Sequence, residues 1–374
     1  MNYLHLNGLH HSRQPLAASL PPTNIHPVSA FTLKYVPHPF PTRRAKNPFG
    51  ELSIIDRIKA RAPTSSAVRL GIGDDCAILK PPPGHELLVT TDFCLEERHF
   101  RRAWHTPASI GHRTLARGLS DLAAMGAKPL AAFLSLAMPP DVARNPRFLD
   151  GLLDGLLALA AAHSVPLAGG DTAQAPADQI LADIVLLGSA PTGRALRRST
   201  ARPGDLLYVT GALGGAAAEL TALSANPRKF RTTNAADNHP HLFPQPRLAV
   251  GQALLRRLLA TACIDLSDGL STDLAHLCTA SHVAAELDLA QLPLHPLAAA
   301  LDDRAQINAL LHGGEDYELL FTASPSTKIP RSIAGVPITQ IGRILKSRVN
   351  KPQMSILSDS YRYELQPHGW EHFA

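Results

Sequence analysis

Apolar and polar positions follow two rhythms along this chain, and the switches between them outline its elements. From Glu51, "ELSIIDRIKA" repeats apolar residues at helical spacing. "VRLGIGDD" and "ELLVTTDF" are short apolar runs ending in acids, which predicts strands. "PASIGHRTLARGLSDLAAMGA" then predicts a helix with an embedded acid, and "LAAFLSLAMP" a strand. "NPRFLDGLLDGLLALAAAHS" predicts a second long helix leading into strand "VPLAGGDT", and "QILADIVLLGSA" another strand. After the turn "ARPGD" comes a second set: strand "LLYVTG", helices "GGAAAELTAL" and "RLAVGQALLRRLLA", and the strand-like "AELDLAQLP", "GGEDYELLFT" and "PITQIGRIL". The intervening "SANPRKFRTTNAADNHPHLFPQP" is polar and irregular, which predicts a surface loop. Residues 1–50 have no sustained period and are rich in Pro and His, which predicts a disordered extension. An upstream start, a basic tail and a transit peptide would each account for it. The expected organisation is thus an extension at 1–50, an N-terminal α/β domain at 51–192 and a C-terminal α+β domain at 193–374.

Composition narrows the classes. With 374 residues, 45% of them hydrophobic, the chain is long enough for two domains of ordinary globular type. It has no apolar run of the roughly 18 residues a membrane span needs and no secretory signal pattern, so a cytoplasmic protein is expected. The four cysteines form no C-x-x-C pair, which argues against structural zinc or a redox centre. The formal charge of +5 equals the contribution of Arg13, Lys34, Arg43, Arg44 and Lys46, all within an acid-free first 50 residues. The rest is formally neutral and carries no basic footprint for nucleic acid.

Candidate chemistry lies in the acids. Asp74 and Asp75 in "GIGDDCAIL" are equally at home in a solvated turn, but Asp92, Asp121, Asp171, Asp265 and Asp268 repeat the context beside Gly, Ser or Thr. Carboxylates converging on one place repel one another unless a hard cation neutralises them, and Mg²⁺ suits a few carboxylates completed by water and phosphate oxygens. P-loop, dinucleotide-binding and protein-kinase motifs are absent. The glycine loops "TGALGG" and "GGDT" suit either phosphate binding or helix starts and packing.

"GIGDDCAIL", "TTDFCLEERHF", "LSDLAAMGA", "AGGDT", "GRALRRS", "PGDLLYVTGALG", "IDLSDGLSTDLAH" and "GGEDYELLFT" resemble, in order, spacing and identity, the consecutive motifs of the thiamine-monophosphate kinase family. That family belongs to the aminoimidazole-ribonucleotide-synthetase-like superfamily, and the resemblance covers about residues 51–374. It implies the superfamily's two-domain fold, an N-terminal α/β domain with a dimerising sheet and a C-terminal α+β domain, in a homodimer. It also implies transfer of the ATP γ-phosphoryl group to thiamine monophosphate, assisted by several Mg²⁺ ions. Carried over by motif, Asp74, Thr90, Thr91, Asp92, Asp121, Asp171, Asp265 and Asp268 would hold the metal; Gly170, Asp171, Arg198 and Ser267 would contact ATP; His99, Glu315 and Trp370 would hold thiamine monophosphate. Five positions depart from the pattern: Glu97 stands where Gly is usual before His99, Gly118 replaces Asn, Ala173-Gln174 replace Thr-Arg, and His163 replaces an aromatic residue.

Chemistry agrees with the implied roles. A phosphate monoester has its second pKa near ~6, so the attacking oxygen needs no general base at neutral pH. Two phosphate dianions about 4 Å apart repel by roughly 4 to 16 kcal/mol over the dielectric range from water to protein surface. Neutralising that charge is the task that acids plus cations perform. A sister ATP-using synthetase and a catalytically silent nucleotide-binding protein remain the alternatives. So do blander roles for single residues: His99 as a surface histidine, Trp370 as a hydrophobic cap, Glu315 as a strand-edge charge and Arg198 as a surface ion-pair partner.

Overall fold

The computed structural model describes residues 51–63, 65–349, 353–359 and 361–370. The expected extension at 1–50 lies outside the described residues. The first half runs α1 (Glu51–Arg61), β1 (Val68–Leu70), β2 (Ile78–Leu79), β3 (His85–Leu95), α2 (Pro107–Ala124), β4 (Lys128–Met138), α3 (Pro140–Ala143), α4 (Pro146–Ala162), β5 (Leu167–Gln174) and β6 (Leu181–Pro191). Four of these strands form one sheet in the order β3-β6-β4-β5, with β4 and β5 parallel and the other pairs antiparallel.

The second half runs β7 (Leu206–Thr210), α5 (Gly215–Ala225), α6 (Leu248–Arg256), β8 (Ala262–Asp265), α7 (Leu270–Ser281), β9 (Val283–Asp288), α8 (Pro296–Ala299), α9 (Asp303–His312), β10 (Leu319–Ala323), β11 (Ser332–Ile333), β12 (Val336–Lys346), β13 (Met354–Ser358) and β14 (Tyr361–Glu364). Its strands form a mixed sheet in the order β14-β13-β9-β12-β7-β10-β8, with β11 paired to β12. This is the expected α/β half followed by an α+β half. One core nevertheless crosses between them, since Leu115 and Leu119 of α2, Leu254 of α6 and Phe321 of β10 belong to a single buried cluster. Among the described residues no helix is long and apolar enough to cross a membrane.

Helix α2 organises the first half. Thr106 caps its start by accepting a hydrogen bond from the Ser109 amide, and Pro107 at the first turn gives up an N–H that no helix bond needs. Fourteen of its eighteen residues are buried, so it is surrounded rather than half-exposed. Glycines permit that enclosure. A Cβ at Gly111 would lie 1.8 Å from the Leu152 carbonyl oxygen of α4, and one at Gly155 would lie 1.8 Å from the Ala108 oxygen of α2. On the other side, a Cβ at Gly251 of α6 would lie 1.9 Å from the Ala123 oxygen. One face of the four-stranded sheet covers α2; on the other, Leu87, Val89 and Phe93 of β3 are exposed at 46%, 65% and 60%.

Several expected boundaries move. "VRLGIGDD" is strand only to Leu70, because the Gly71–Asp75 stretch turns. "AELDLAQLP" leaves its strand at Asp288 for a three-ten turn over Leu289–Gln291. "GGEDYELLFT" becomes strand only at Leu319, since Glu315 and Tyr317 take left-handed φ values of 66° and 50° that no strand accommodates. The polar segment after α5 is not simply surface: Phe230, His241, Leu242 and Phe243 are buried.

Replacing Gly155 with Ala drives a methyl group into the α2 backbone, and overpacking at fixed backbone is expected to cost about 3 kcal/mol. Urea denaturation should show that loss, and an unchanged midpoint would disprove the close helix contact.

Candidate functional site

A cavity of about 420 Å³ lies where α2 meets the second half. Thr91 and Asp92 reach it from β3, His99 from the following loop, and Arg117 and Asp121 from α2. Asp265, Ser267 and Asp268 enter from the end of β8, Glu315 and Tyr317 from the irregular segment before β10, and Trp370 from the chain terminus. The interior of β3 and the strand-to-loop end of β8 thus deliver the acids, while α2 presents its charged residues at positions 113, 117 and 121, one helical face.

The acids are under electrostatic pressure. Burial, with the charge of Asp265 next, pushes the Asp121 carboxyl up to about 7, although the Thr90 hydroxyl donates to its Oδ2. Burial also raises Asp265, whose Oδ2 accepts from the Ser120 hydroxyl at 2.6 Å. Asp92 is raised chiefly by burial, against the pull of Arg117, whose Nη2 lies 3.2 Å from its Oδ1. Arg198 lowers both Asp121 and Asp265 by its charge, which sets it beside this group. Buried carboxylates raised by one another, offering only oxygen donors, fit a hard divalent cation.

Asp74, Gly170 and Asp171 lie elsewhere. They line a second cavity of about 570 Å³ together with Ile55, Ile58 and Phe133. Strands β3 and β5 are the two edges of the four-stranded sheet, so Asp92 and Asp171 are separated by three strand spacings, roughly 14 Å. Asp74 Oδ1 accepts from the Asp75 amide and Asp171 Oδ1 from the Thr172 amide, at 2.8 and 2.9 Å, both at the surface. Gly170 has φ of 144°, and a Cβ there would lie 1.9 Å from the Leu134 oxygen, so this backbone admits only glycine.

Glu315, expected to hold thiamine monophosphate, lines the cavity and is paired with basic groups of the protein itself. Its Oε1 is 2.6 Å from Arg113 Nη2 and 3.3 Å from Arg117 Nη1, and its Oε2 is 3.1 Å from His241 Nδ1. Burial alone would raise this carboxyl, but Arg113, His241 and Arg117 together hold it well below the usual range. The protein's own cations already answer its charge. Arg113, Arg117 and His241 were not anticipated as site residues. Two arginines four apart in an otherwise apolar helix signal a buried counterion, whereas a His in a polar loop gives no signal.

The glycine loop "TGALGG" is also accounted for. Asp316 accepts from the Gly214 and Ala216 amides at 2.7 and 3.1 Å, so these N–H groups cap α5 onto a carboxylate. Glu97 takes φ of 66°, the left-handed conformation that glycine adopts freely, and its carboxylate pairs with Arg101 at 3.0 Å. Gly118 lets α2 approach the sheet, since a Cβ would lie 2.8 Å from Leu186 Cδ1. Ala173 and Gln174 end β5, and His163 follows α4, where burial lowers its pKa. Trp370, half exposed, donates its backbone N–H to the Asp268 oxygen at 3.0 Å. Asp268 stands with Asp273 and His276 so that their ligand atoms lie within 4.8 Å, but Asp273 Oδ2 already accepts from the Asp268 and Gly269 amides.

A carboxyl whose folded pKa is raised costs stability once it ionises, as pH passes from its unfolded value through about 7. Asp121→Asn should therefore raise the metal-free Tm relative to wild type, and by more at pH 8 than at pH 5. A Tm difference that does not change between those pH values would refute the buried-acid reading.

Comparison with known proteins follows the same division. The family described as AIR synthase related protein, N-terminal domain, matches residues 73–190, and its C-terminal counterpart matches residues 202–349. Thiamine-monophosphate kinase of Escherichia coli K12 is 39% identical over 336 residues, covering 87% of this chain and 98% of that protein. The crystal structure of thiamine-monophosphate kinase from Stenotrophomonas maltophilia K279a superposes with a TM-score of 0.71 at 36% identity, covering 81% of this chain and 95% of that one. The structure of AaThiL complexed with AMPPCP and TMP aligns with a TM-score of 0.67 at 29% identity, covering 89% of this chain and all of that one, 100%. With that identity over 87% of its length, the chain belongs to the thiamine-monophosphate kinase family.

Proposed function

We propose that this protein transfers the γ-phosphoryl group of ATP directly onto thiamine monophosphate, in a Mg²⁺-dependent reaction giving thiamine diphosphate and ADP. The observation that carries the proposal is the convergence of Asp92, Asp121, Asp265 and Asp268 with His99, Glu315 and Trp370 on one cavity. The complex of AaThiL with AMPPCP and TMP supports the choice of both substrates.

In this reading Asp92, Asp121, Asp265 and Asp268, with Thr90 and Thr91 beside them, hold metal at the phosphate end. Bound there, Mg²⁺ would offset the charge of two phosphate groups brought together. The chain's residues do the positioning. Arg198 and Ser267 contact ATP from the β8 side of the cavity. Trp370 offers a flat π face to the cationic thiazolium or the pyrimidine of thiamine. His99 lines the substrate end of the cavity and accepts the Leu95 amide at Nδ1, 2.9 Å away, which orients its ring. Glu315 holds the wall of the substrate end against the two arginines rather than offering a bare charge. No general base is invoked, because the attacking phosphate oxygen is already mostly deprotonated at neutral pH.

The same reading calls for two copies. Asp74, Gly170 and Asp171 sit at the far edge of the sheet, so a second copy packed on the exposed Leu87, Val89 and Phe93 offers the route to a complete set of acids and ATP contacts. Apolar side chains on an open sheet face suit a homodimer interface. Phe93→Asp should convert the protein to monomer in sedimentation velocity, and a wild-type chain that already sediments as monomer would sink the dimer.

Phosphorus NMR of protein, Mg²⁺-ATP and thiamine monophosphate tests the activity. The expected result is thiamine diphosphate with stoichiometric ADP, lost by at least about 100-fold in Asp121→Asn or Asp268→Asn, as expected when a charge-stabilising group is removed. ATP hydrolysis without that product would favour a sister synthetase with another acceptor, and no reaction would favour a silent binding protein.

A further inference from the structure

The polar segment between α5 and α6 brings His241 to the wall of the substrate cavity, where it is 2% exposed. Its Nδ1 lies 3.1 Å from Glu315 Oε2, and its Nε2 lies 3.1 Å from Nε2 of the equally buried His105. Glu219, buried in α5, anchors the segment by accepting the His241 and Leu242 amides at 2.7 and 3.2 Å. From Glu315 the contacts continue to Arg117 Nη1 at 3.3 Å, and from Arg117 Nη2 to Asp92 Oδ1 at 3.2 Å. A line of hydrogen bonds thus runs from His105 through the substrate end of the cavity to its acids.

The ionised carboxylate of Glu315 fixes the protons along the line. Glu315 is acceptor-only when ionised, so His241 Nδ1 carries its hydrogen toward Oε2, since two lone pairs 3.1 Å apart would repel; Arg113 Nη1, 3.3 Å from the same Nδ1, donates instead to the His241 backbone oxygen. His241 Nε2 is then an acceptor, and His105 Nε2 must carry a hydrogen. His105 Nδ1 is left to accept, and the Arg101 amide donates to it at 3.2 Å. Both rings are neutral in this scheme, consistent with burial lowering His105 to about 2 and lowering His241.

We propose that His241, oriented by His105, is a positioning residue that fixes the Glu315 carboxylate and, through Arg117, sets the substrate end of the cavity in register with Asp92. This rests on the functional reading above for its consequence in catalysis, but the tautomers it requires do not. Without the Nδ1–H, Glu315 Oε2 loses its partner, and the carboxylate is free to turn about Oε1 and carry Arg117 with it.

Two measurements test it. In ¹⁵N-histidine NMR of the wild-type protein, His105 should be the Nε2–H tautomer and His241 the Nδ1–H tautomer; Nε2–H on His241, or a charged ring, overturns the proposal. In steady-state kinetics, His241→Leu should lower kcat/KM for thiamine monophosphate by about tenfold or more with KM for ATP within about twofold, as expected for loss of one buried positioning bond. His241→Asn keeps a donor at the Nδ1 position and should recover most of that loss. A Leu variant as active as wild type, or an Asn variant no better than Leu at equal Tm, overturns it. If wild type does not turn over thiamine monophosphate, the functional reading fails, and the tautomer measurement alone decides the positioning claim.

Discussion

The structure depends on satisfying two guanidinium groups that α2 carries into the interior. Arg113 is fully buried, and Arg117 lies one turn further along the same face. Neither charge is tolerable in an apolar helix without partners, and removing one member of such a buried pair typically costs about 3–5 kcal/mol. The partners come from different parts of the chain: Glu315 precedes β10, Asp92 lies within β3, and the His99 backbone oxygen accepts from Arg113 at 3.0 Å. Pairing α2 with these groups joins the two halves at the place where the cavity opens.

That requirement explains why the segment before β10 is strained. Strand geometry would alternate Glu315 and Tyr317 onto one face of the sheet with regular spacing. Left-handed φ at both residues instead turns Glu315 toward Arg113 and Arg117, and lets the Tyr317 hydroxyl accept from Arg117 Nη1 at 2.9 Å. The neighbouring Asp316 turns the other way to cap α5. Three consecutive polar residues thus serve two separate elements, and the backbone strain is the cost of that division.

The acids opposite follow the reverse logic. Asp121, Asp265 and Asp92 are raised by burial and lack enough fixed cations to balance them, so the folded chain holds a deficit of positive charge there. Glu315, by contrast, is held low by two arginines and a hydrogen bond from His241. The cavity accordingly has one end whose carboxylate is matched by fixed basic groups and one whose carboxyls are raised by burial. Such asymmetry is what a site for a phosphorylated, cation-bearing substrate requires.

The local rhythm of the sequence determined most of the elements, because apolar spacing reports directly which face of a helix or strand is buried; α2, α4, β3, β4 and β6 follow their sequence patterns closely. It also singled out the acids, since carboxylates beside small residues at strand ends stand out against an apolar background. Where the motifs carried Glu97 to a position suited to Gly, the backbone indeed takes positive φ. What the sequence did not contain was the pairing across distance. Whether Asp171 meets Asp92 depends on strand order, and order β3-β6-β4-β5 puts them on opposite edges. Whether "TGALGG" faces phosphate depends on Asp316, about a hundred residues away in the chain. His241 sits in a segment whose polarity reads as surface, and only the anchoring by Glu219 and the packing of Phe230, Leu242 and Phe243 bury it. Local pattern decides which backbone forms; the long-range electrostatic and packing partners, invisible to any window along the chain, decide which side chains meet.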